Sequence, residues 1–184
     1  MTRPSADLIA FVWGAAEATV FFVIPDVIVG YVAMTKPRRA PAAFAAATAG
    51  ALAGSAALYA ASRPFEGHIR RLFAALPGVR DSDFEAVRHG IVELGPRAMA
   101  EPAWQGNPIK LYVLESALHG GTALSVLSSV AANRVLRVGG ATLAFALLGR
   151  LLRGPIRHRP RVSALAYVAA WSFGYSVYWA RRSG

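Results

Sequence analysis

The chain has 184 residues, of which 55% are hydrophobic and only 16% are charged. Soluble domains carry about 25% charged residues, so this composition favours a single compact integral membrane domain over a soluble one. The net charge of +10 comes almost entirely from arginines in short clusters between apolar stretches, a pattern typical of membrane proteins that contact anionic headgroups, and we expect no nucleic-acid partner. Cysteine is absent, which excludes disulfides, thiol catalysis and cysteine metal sites.

The first two apolar segments differ in their interruptions. Residues 8–34 are apolar but are broken by Glu17 and by Pro25-Asp26. Residues 40–62 carry no charge and are long enough to cross about 30 Å of hydrocarbon as a helix. Within them, Gly50 and Gly54 form a small-xxx-small face suited to close helix packing, although plain alanine and glycine richness explains the pattern equally well.

Residues 63–106 form a polar stretch that we expect to lie on the membrane surface as two short amphipathic helices. The first is expected to stop at Pro77-Gly78. The second is expected to start at a capping box formed by Ser82 and Glu85 and to stop at Gly95-Pro96.

Three further apolar segments follow. Residues 108–132 contain Glu115 and His119-Gly120-Gly121. Residues 133–150 cross a bilayer only if Arg134 and Arg137 are drawn into the membrane, because the purely apolar part spans about 18 Å. Residues 162–180 are uncharged, and their tryptophans and tyrosines suit an interfacial belt.

The charges of the loops predict the topology. Residues 36–39 and 150–161 are basic without an acid, which places both loops in the cytoplasm, whereas residues 63–106 hold six arginines and six acids and are best placed outside. These placements require 8–34 and 108–132 to be re-entrant hairpins. The predicted fold class is therefore an all-α membrane protein with two oppositely oriented re-entrant hairpins, each followed by a transmembrane helix (40–62 and 133–150), and a C-terminal transmembrane helix (162–180). Five full spans are the alternative; with the N-terminus inside, they keep 150–161 in the cytoplasm but misplace the loop at 36–39.

Ionisable residues inside apolar segments are costly, so they usually face a cavity and have partners. The candidates are Glu17, Asp26, Lys110, Glu115, His119, Arg134 and Arg137.

The sequence allows two roles for each of the two acidic residues in the first apolar segment. Glu17 either exchanges a proton or forms a structural ion pair with an arginine. Asp26 follows Pro25, where a helix must break, and caps the new helix, faces a substrate cavity, or does both.

The sequence allows the basic residues either to bind an anion or to anchor the chain at the membrane interface. Arg134 and Arg137, spaced i and i+3, share a helical face and either grip a phosphate or extend to the membrane interface. Lys110 is an interfacial anchor or a second phosphate contact. Glu115 and His119, spaced i and i+4, either share a proton or are packed polar groups.

Enzyme motifs are missing from the sequence. It contains no HExxH, GxSxG, Walker or GxGxxG motif, and no His-x4-Asp of the glycerolipid acyltransferase type. We therefore expect no enzyme, no cofactor and no metal.

The order of three motifs resembles the DedA family, also called the SNARE-associated Golgi or VTT-domain family. Residues 17–26 (EATVFFVIPD) resemble the first hairpin motif of that family, residues 106–112 (GNPIKLY) resemble the motif that opens its second hairpin, and Asn133-Arg134-x-x-Arg137 resembles its arginine motif. The spacing from Glu17 to Asp26 is shorter than in the best-known branch, and the two arginines lie closer together.

This resemblance implies two opposed re-entrant hairpins, a bacterial inner-membrane location, and movement of lipids between leaflets coupled to the proton gradient. By motif, the functional residues fall on Glu17, Asp26, Arg134 and Arg137. The expected partners are anionic lipid headgroups and protons, and a homo-oligomer is compatible with the sequence. Two other functions stay open: a proton-coupled transporter of a small ion or solute, and a non-transporting membrane scaffold.

Overall fold

A computed structural model describes residues 5–21, 23–77, 79–100 and 107–182, and within these ranges the chain is helical and contains no strand. The all-α expectation is confirmed. The helices are α1 (Ala6–Glu17), α2 (Asp26–Thr35), α3 (Ala40–Ser62), α4 (Glu66–Ala74), α5 (Asp81–Leu94), α6 (Ile109–Leu118), α7 (Ala123–Arg134), α8 (Gly140–Leu151), α9 (Arg153–His158) and α10 (Pro160–Arg182). Pro37–Arg39 and Gly95–Ala100 form 3-10 turns, and Val135–Gly139 forms a π-helical turn.

Two helices in the described chain are long and apolar enough to cross a membrane. They are Pro37–Ser62, with 26 residues, and Ala123–Leu151, with 29 residues. At 1.5 Å per residue they measure about 39 and 43 Å, more than the ~30 Å hydrocarbon core. Helix α10 has the length of a span, with 23 residues, but is not apolar enough to be one of the two.

The second long helix corrects a predicted boundary. A hairpin was predicted to end at residue 132 and a span to begin at 133, but α7, the π turn and α8 form one continuous helix. The π turn carries backbone hydrogen bonding past Arg134, and no proline interrupts residues 123–151. The preceding break, at 119–122, lies beside the last turns of α3, where the Tyr59 hydroxyl donates to the carbonyl of Gly121 at 2.7 Å.

Helix α1 packs parallel to α3 through glycines. A side chain at Gly50 would collide with the carbonyl of Phe11, and one at Gly54 would lie 2.6 Å from the carbonyl of Ala15. Because the opposed positions rise together along both helices, the helices run in the same direction. The predicted small-residue face is confirmed, and its physical role is close approach of two backbones.

Helix α2 packs parallel to α8, and α10 contacts both of them through Tyr167. Gly30 faces the Phe145 ring, and a side chain at Gly149 would collide with the main chain of Met34. The Tyr167 hydroxyl donates to the carbonyl of Val27 at 2.8 Å. The ends of α2 and α8 therefore lie at the same end of the helix bundle.

The segment 63–106 is more deeply packed than the expected surface layer. Its described part, which leaves out residues 78 and 101–106, contains the two predicted amphipathic helices, α4 and α5. The buried faces of both helices join the main hydrophobic core with residues of α3, α6 and α7; they contribute Ile69, Phe73, Val87 and Ile91. Apolar periodicity finds such faces but does not tell whether lipid or protein covers them.

The start of α5 is also corrected. The helix begins at Asp81, one residue before the predicted cap Ser82. The Asp83 carboxylate accepts a hydrogen bond from the backbone N–H of Arg80 at 3.0 Å, so the N-terminus of α5 is capped by Asp83 and not by Ser82 with Glu85.

Candidate functional site

The break between α1 and α2 is held by side chains from other parts of the chain. Helix α1 ends at Glu17 and Pro25 directly precedes α2, so the backbone between them needs partners outside regular helix. The Trp13 indole donates to the carbonyl of Val23 at 2.9 Å, and the N–H of Ile24 donates to the Tyr175 hydroxyl at 3.0 Å. These two hydrogen bonds join the break to α1 and to α10.

Two ion pairs connect this break to the long helix α7–α8. Arg134 forms a hydrogen-bonded ion pair with Glu17, and Arg137 lies 3.5 Å from the Asp26 carboxylate. Arg134 follows Ala123 by 11 residues, or about 17 Å along a helix of about 43 Å, so the pairs lie near its middle. The four residues singled out by the motifs thus meet at one place, although Glu17 and Arg134 are 117 residues apart.

The π turn separates the roles of the two arginines. Arg134 ends α7 and Arg137 lies inside the turn, so each guanidinium reaches a different carboxylate. Arg134 is only 1% exposed, whereas the Arg137 side chain is 24% exposed. Arg134 is therefore closed off, and Arg137 is the accessible arginine of the two pairs.

Some polar atoms of these pairs have no hydrogen-bond partner within the described part of the chain. They are Nε and Nη1 of Arg134 and Oδ2 of Asp26. Buried polar atoms are usually satisfied by protein or water, so this centre has unused hydrogen-bonding capacity.

Lys110 adds a third positive charge. Its ammonium donates to the carbonyl of Phe21 at 2.7 Å and lies 5.9 Å from the centroid of the Phe73 ring. No carboxylate in the described ranges lies within ion-pair distance of it. By formal charge, three cations and two carboxylates leave the centre with one excess positive charge.

A cavity of about 410 Å³ opens onto this centre. Its charged part is formed by Glu17, Lys110 and Arg137, and its walls are apolar and aromatic. The walls come from the α1–α2 break, the α4–α5 connection, the start of α6 and the aromatic face of α10: Phe21, Ile24, Leu76, Pro77, Val79, Asn107, Pro108, Trp171, Gly174, Tyr175, Tyr178 and Trp179.

Glu115 and His119 lie in a separate cluster. Glu115 is fully buried, and its nearest cation is Arg70 of α4 at 2.8 Å. The His119 Nδ1 atom lies 3.5 Å from Glu115 Oε2, but it is also 2.9 Å from the Glu115 backbone carbonyl. This cluster joins α4 to α6; it does not line the cavity.

Arg70 is a partner of this cluster that the sequence alone does not reveal. Burial disfavours its charge, but hydrogen bonds and attraction from Glu66 and Glu115 outweigh that effect, so the pKa of Arg70 lies above its usual value. The local spacing of Glu66 and Arg70 predicts only an ordinary surface pair on α4, which hides the contact with Glu115. In the residues that the structure describes, no group of three or more acidic or histidine side chains could hold a metal ion.

Comparisons with known protein families, curated proteins and solved structures find no match for this chain. The DedA resemblance therefore stays a prediction from motif order. Gly106, the first residue of its second motif, lies outside the described residues.

Proposed function

We propose that this protein is a membrane lipid transporter, of flippase or scramblase type, that moves a phosphate-bearing lipid between leaflets. The observation that carries the proposal is the cavity at mid-helix depth, where the cations Lys110 and Arg137 face apolar and aromatic walls. A lipid headgroup needs such a combination, since its phosphate is anionic and its chains are apolar.

The charge balance favours an anionic substrate. The centre carries one excess positive charge before any ligand enters, and charge inside a membrane is costly without a partner. A phosphate bound between Lys110 and Arg137 supplies that partner. A cationic drug or metal ion would add to the excess, which is why the small-cation transporter is less favoured.

The accessible ion pair provides a way to exchange ligands. Arg137 and Asp26 are 3.5 Å apart, longer than a charge-assisted hydrogen bond of about 2.7–2.9 Å. A phosphate would compete for the guanidinium with two oxygens, a geometry that arginine prefers. In this proposal Asp26, released from Arg137, takes up a proton, and Glu17 keeps Arg134 paired.

The proposed route needs α1 and α2 to be re-entrant. Helices α1 and α2 have 12 and 10 residues, or about 18 and 15 Å, so neither crosses the bilayer alone. Helix α1 runs parallel to α3, and α2 ends at Thr35, just before the turn that leads into α3. The start of α1 and the end of α2 would therefore both lie on the side of the membrane where α3 begins. Helix α6 starts beside this break, where Lys110 donates to the carbonyl of Phe21, and ends beside the end of α3, where the carbonyl of Ala117 accepts from Arg63. Broken elements that meet in mid-membrane are typical of secondary transporters. The proposed location is the bacterial inner membrane.

The test is lipid exchange in proteoliposomes that contain a fluorescent lipid with a phosphate headgroup, followed by bleaching of the outer leaflet. We expect Arg137→Ala to abolish exchange while the protein keeps its helical content and elution volume. Arg88→Ala is the matched control, because Arg88 is an exposed arginine paired with Glu85 on α5. Full exchange by Arg137→Ala would overturn the proposal.

The scaffold alternative is supported by the same two ion pairs, which are also what a purely structural network requires. It predicts that Glu17→Gln, Asp26→Asn, Arg134→Ala and Arg137→Ala each lower the stability of the protein. It also predicts that neither the unmodified protein nor any of these variants moves lipid. Inhibition of exchange by a metal ion or organic cation, without inhibition by lipid phosphates, would favour the solute transporter.

A further inference from the structure

Two basic loops that are distant in sequence lie at the same end of the helix bundle. Residues 36–39 follow α2, and residues 150–161 run from the end of α8 through α9 to the start of α10. Because α2 and α8 are parallel and the main chains of Met34 and Gly149 are in close contact, the loops begin next to one another. Together they hold eight cations, here called the basic patch: Lys36, Arg38, Arg39, Arg150, Arg153, Arg157, Arg159 and Arg161.

The basic patch is exposed and lacks counter-charges. All eight side chains are exposed, and neither loop contains an acidic residue. Within the described ranges none of the eight forms an ion pair, whereas Arg70, Arg80 and Arg88 of the segment 63–106 all do. Eight uncompensated charges repel one another, so the protein alone does not neutralise this surface.

The position of the patch identifies the occupant. Pro37–Ser62 starts at it, Ala123–Leu151 ends in it, and α10 begins at Pro160 within it. The ends of membrane-spanning helices lie at headgroup depth, where phosphates of anionic lipids are concentrated and attract basic side chains. Helix α9 (Arg153–His158) has 6 residues, or about 9 Å, and is too short to cross a membrane.

We propose that the basic patch is a binding surface for anionic phospholipids, distinct from the substrate cavity at Arg137 and independent of whether the protein transports lipid. Bound lipids neutralise both loops at once and thereby hold the α2–α3 and α8–α10 connections together. The expected consequence is stabilisation by anionic lipids and not by zwitterionic lipids.

The experiment uses the full chain in uncharged detergent, titrated with phosphatidylglycerol, phosphatidylcholine or inorganic phosphate, with thermal unfolding and native mass spectrometry as readouts. We expect phosphatidylglycerol to bind and to raise the unfolding temperature, while phosphatidylcholine and inorganic phosphate do neither. The triple variant Arg153→Gln, Arg157→Gln, Arg159→Gln should need on the order of 100-fold more phosphatidylglycerol, because each basic side chain near an anionic surface contributes about a factor of five.

The matched control removes three arginines from the segment 63–106 instead, with Arg71→Gln, Arg88→Gln and Arg97→Gln. It has the same net charge as the triple variant and should bind phosphatidylglycerol like the unmodified chain. Equal weakening in both variants would show a response to net charge alone and overturn the proposal. An equal response to inorganic phosphate, or preferential binding of a nucleic acid at physiological salt, would also overturn it.

Discussion

The buried ion pair between Glu17 and Arg134 gives the largest predicted change in the free energy of unfolding. Glu17 is 5% exposed and Arg134 is 1% exposed. Only Nη2 of Arg134 bonds to Glu17, and within the described chain Nε and Nη1 have no hydrogen-bond partner. Glu17→Gln keeps the side-chain shape but removes the negative charge, which leaves a buried guanidinium uncompensated. Breaking a buried ion pair in this way costs about 3–5 kcal/mol. The same change in the exposed pair, Glu85→Gln beside Arg88, should cost about 0.2–1 kcal/mol.

The assay is equilibrium unfolding of the purified protein in mixed micelles with a rising fraction of a denaturing detergent, followed by circular dichroism. The double variant Glu17→Gln, Arg134→Met completes the test. Since it removes both charges, it should recover most of the stability that the single variant loses.

Two results would refute this reasoning. A loss for Glu17→Gln no larger than that for Glu85→Gln would mean that water already reaches the pair. A double variant no more stable than Glu17→Gln would mean that the guanidinium of Arg134 is not the origin of the cost.

Two predictions concern the other side of the bundle and the topology. Arg70→Gln removes the cation nearest to the fully buried Glu115 and should lower the free energy of unfolding by about 2 kcal/mol. This is less than the cost of breaking a fully buried pair, because Arg70 is one-third exposed. The control Arg71→Gln, at an exposed position on the same helix, should leave the stability unchanged in the same assay. For the topology, a membrane-impermeant maleimide should label Arg88→Cys in intact cells and Arg39→Cys only after lysis; the opposite labelling would make α1–α2 cross the membrane and remove the basis of the transport proposal. The natural absence of cysteine makes both single-cysteine proteins free of background.

The sequence by itself predicted most of the helices and placed the residues of the central charged site among its candidates. Composition and uninterrupted apolar stretches predict the span at 40–62, and Pro25 predicts the break before α2. The cost of ionisable groups in apolar segments singled out Glu17 and Arg134 before any contact was known. These inferences succeed because hydropathy, proline geometry and charge cost are local properties of the chain.

Only the tertiary structure decided which groups meet. It paired Glu115 with Arg70, buried the amphipathic faces of α4 and α5 in the core, and joined α7 to α8 through a π turn. It also brought the loops 36–39 and 150–161 to one end. Helical periodicity shows that a residue lies on an apolar face, but the partner of that face is fixed by the packing of distant helices, and here by glycine contacts such as that of Gly50 with Phe11.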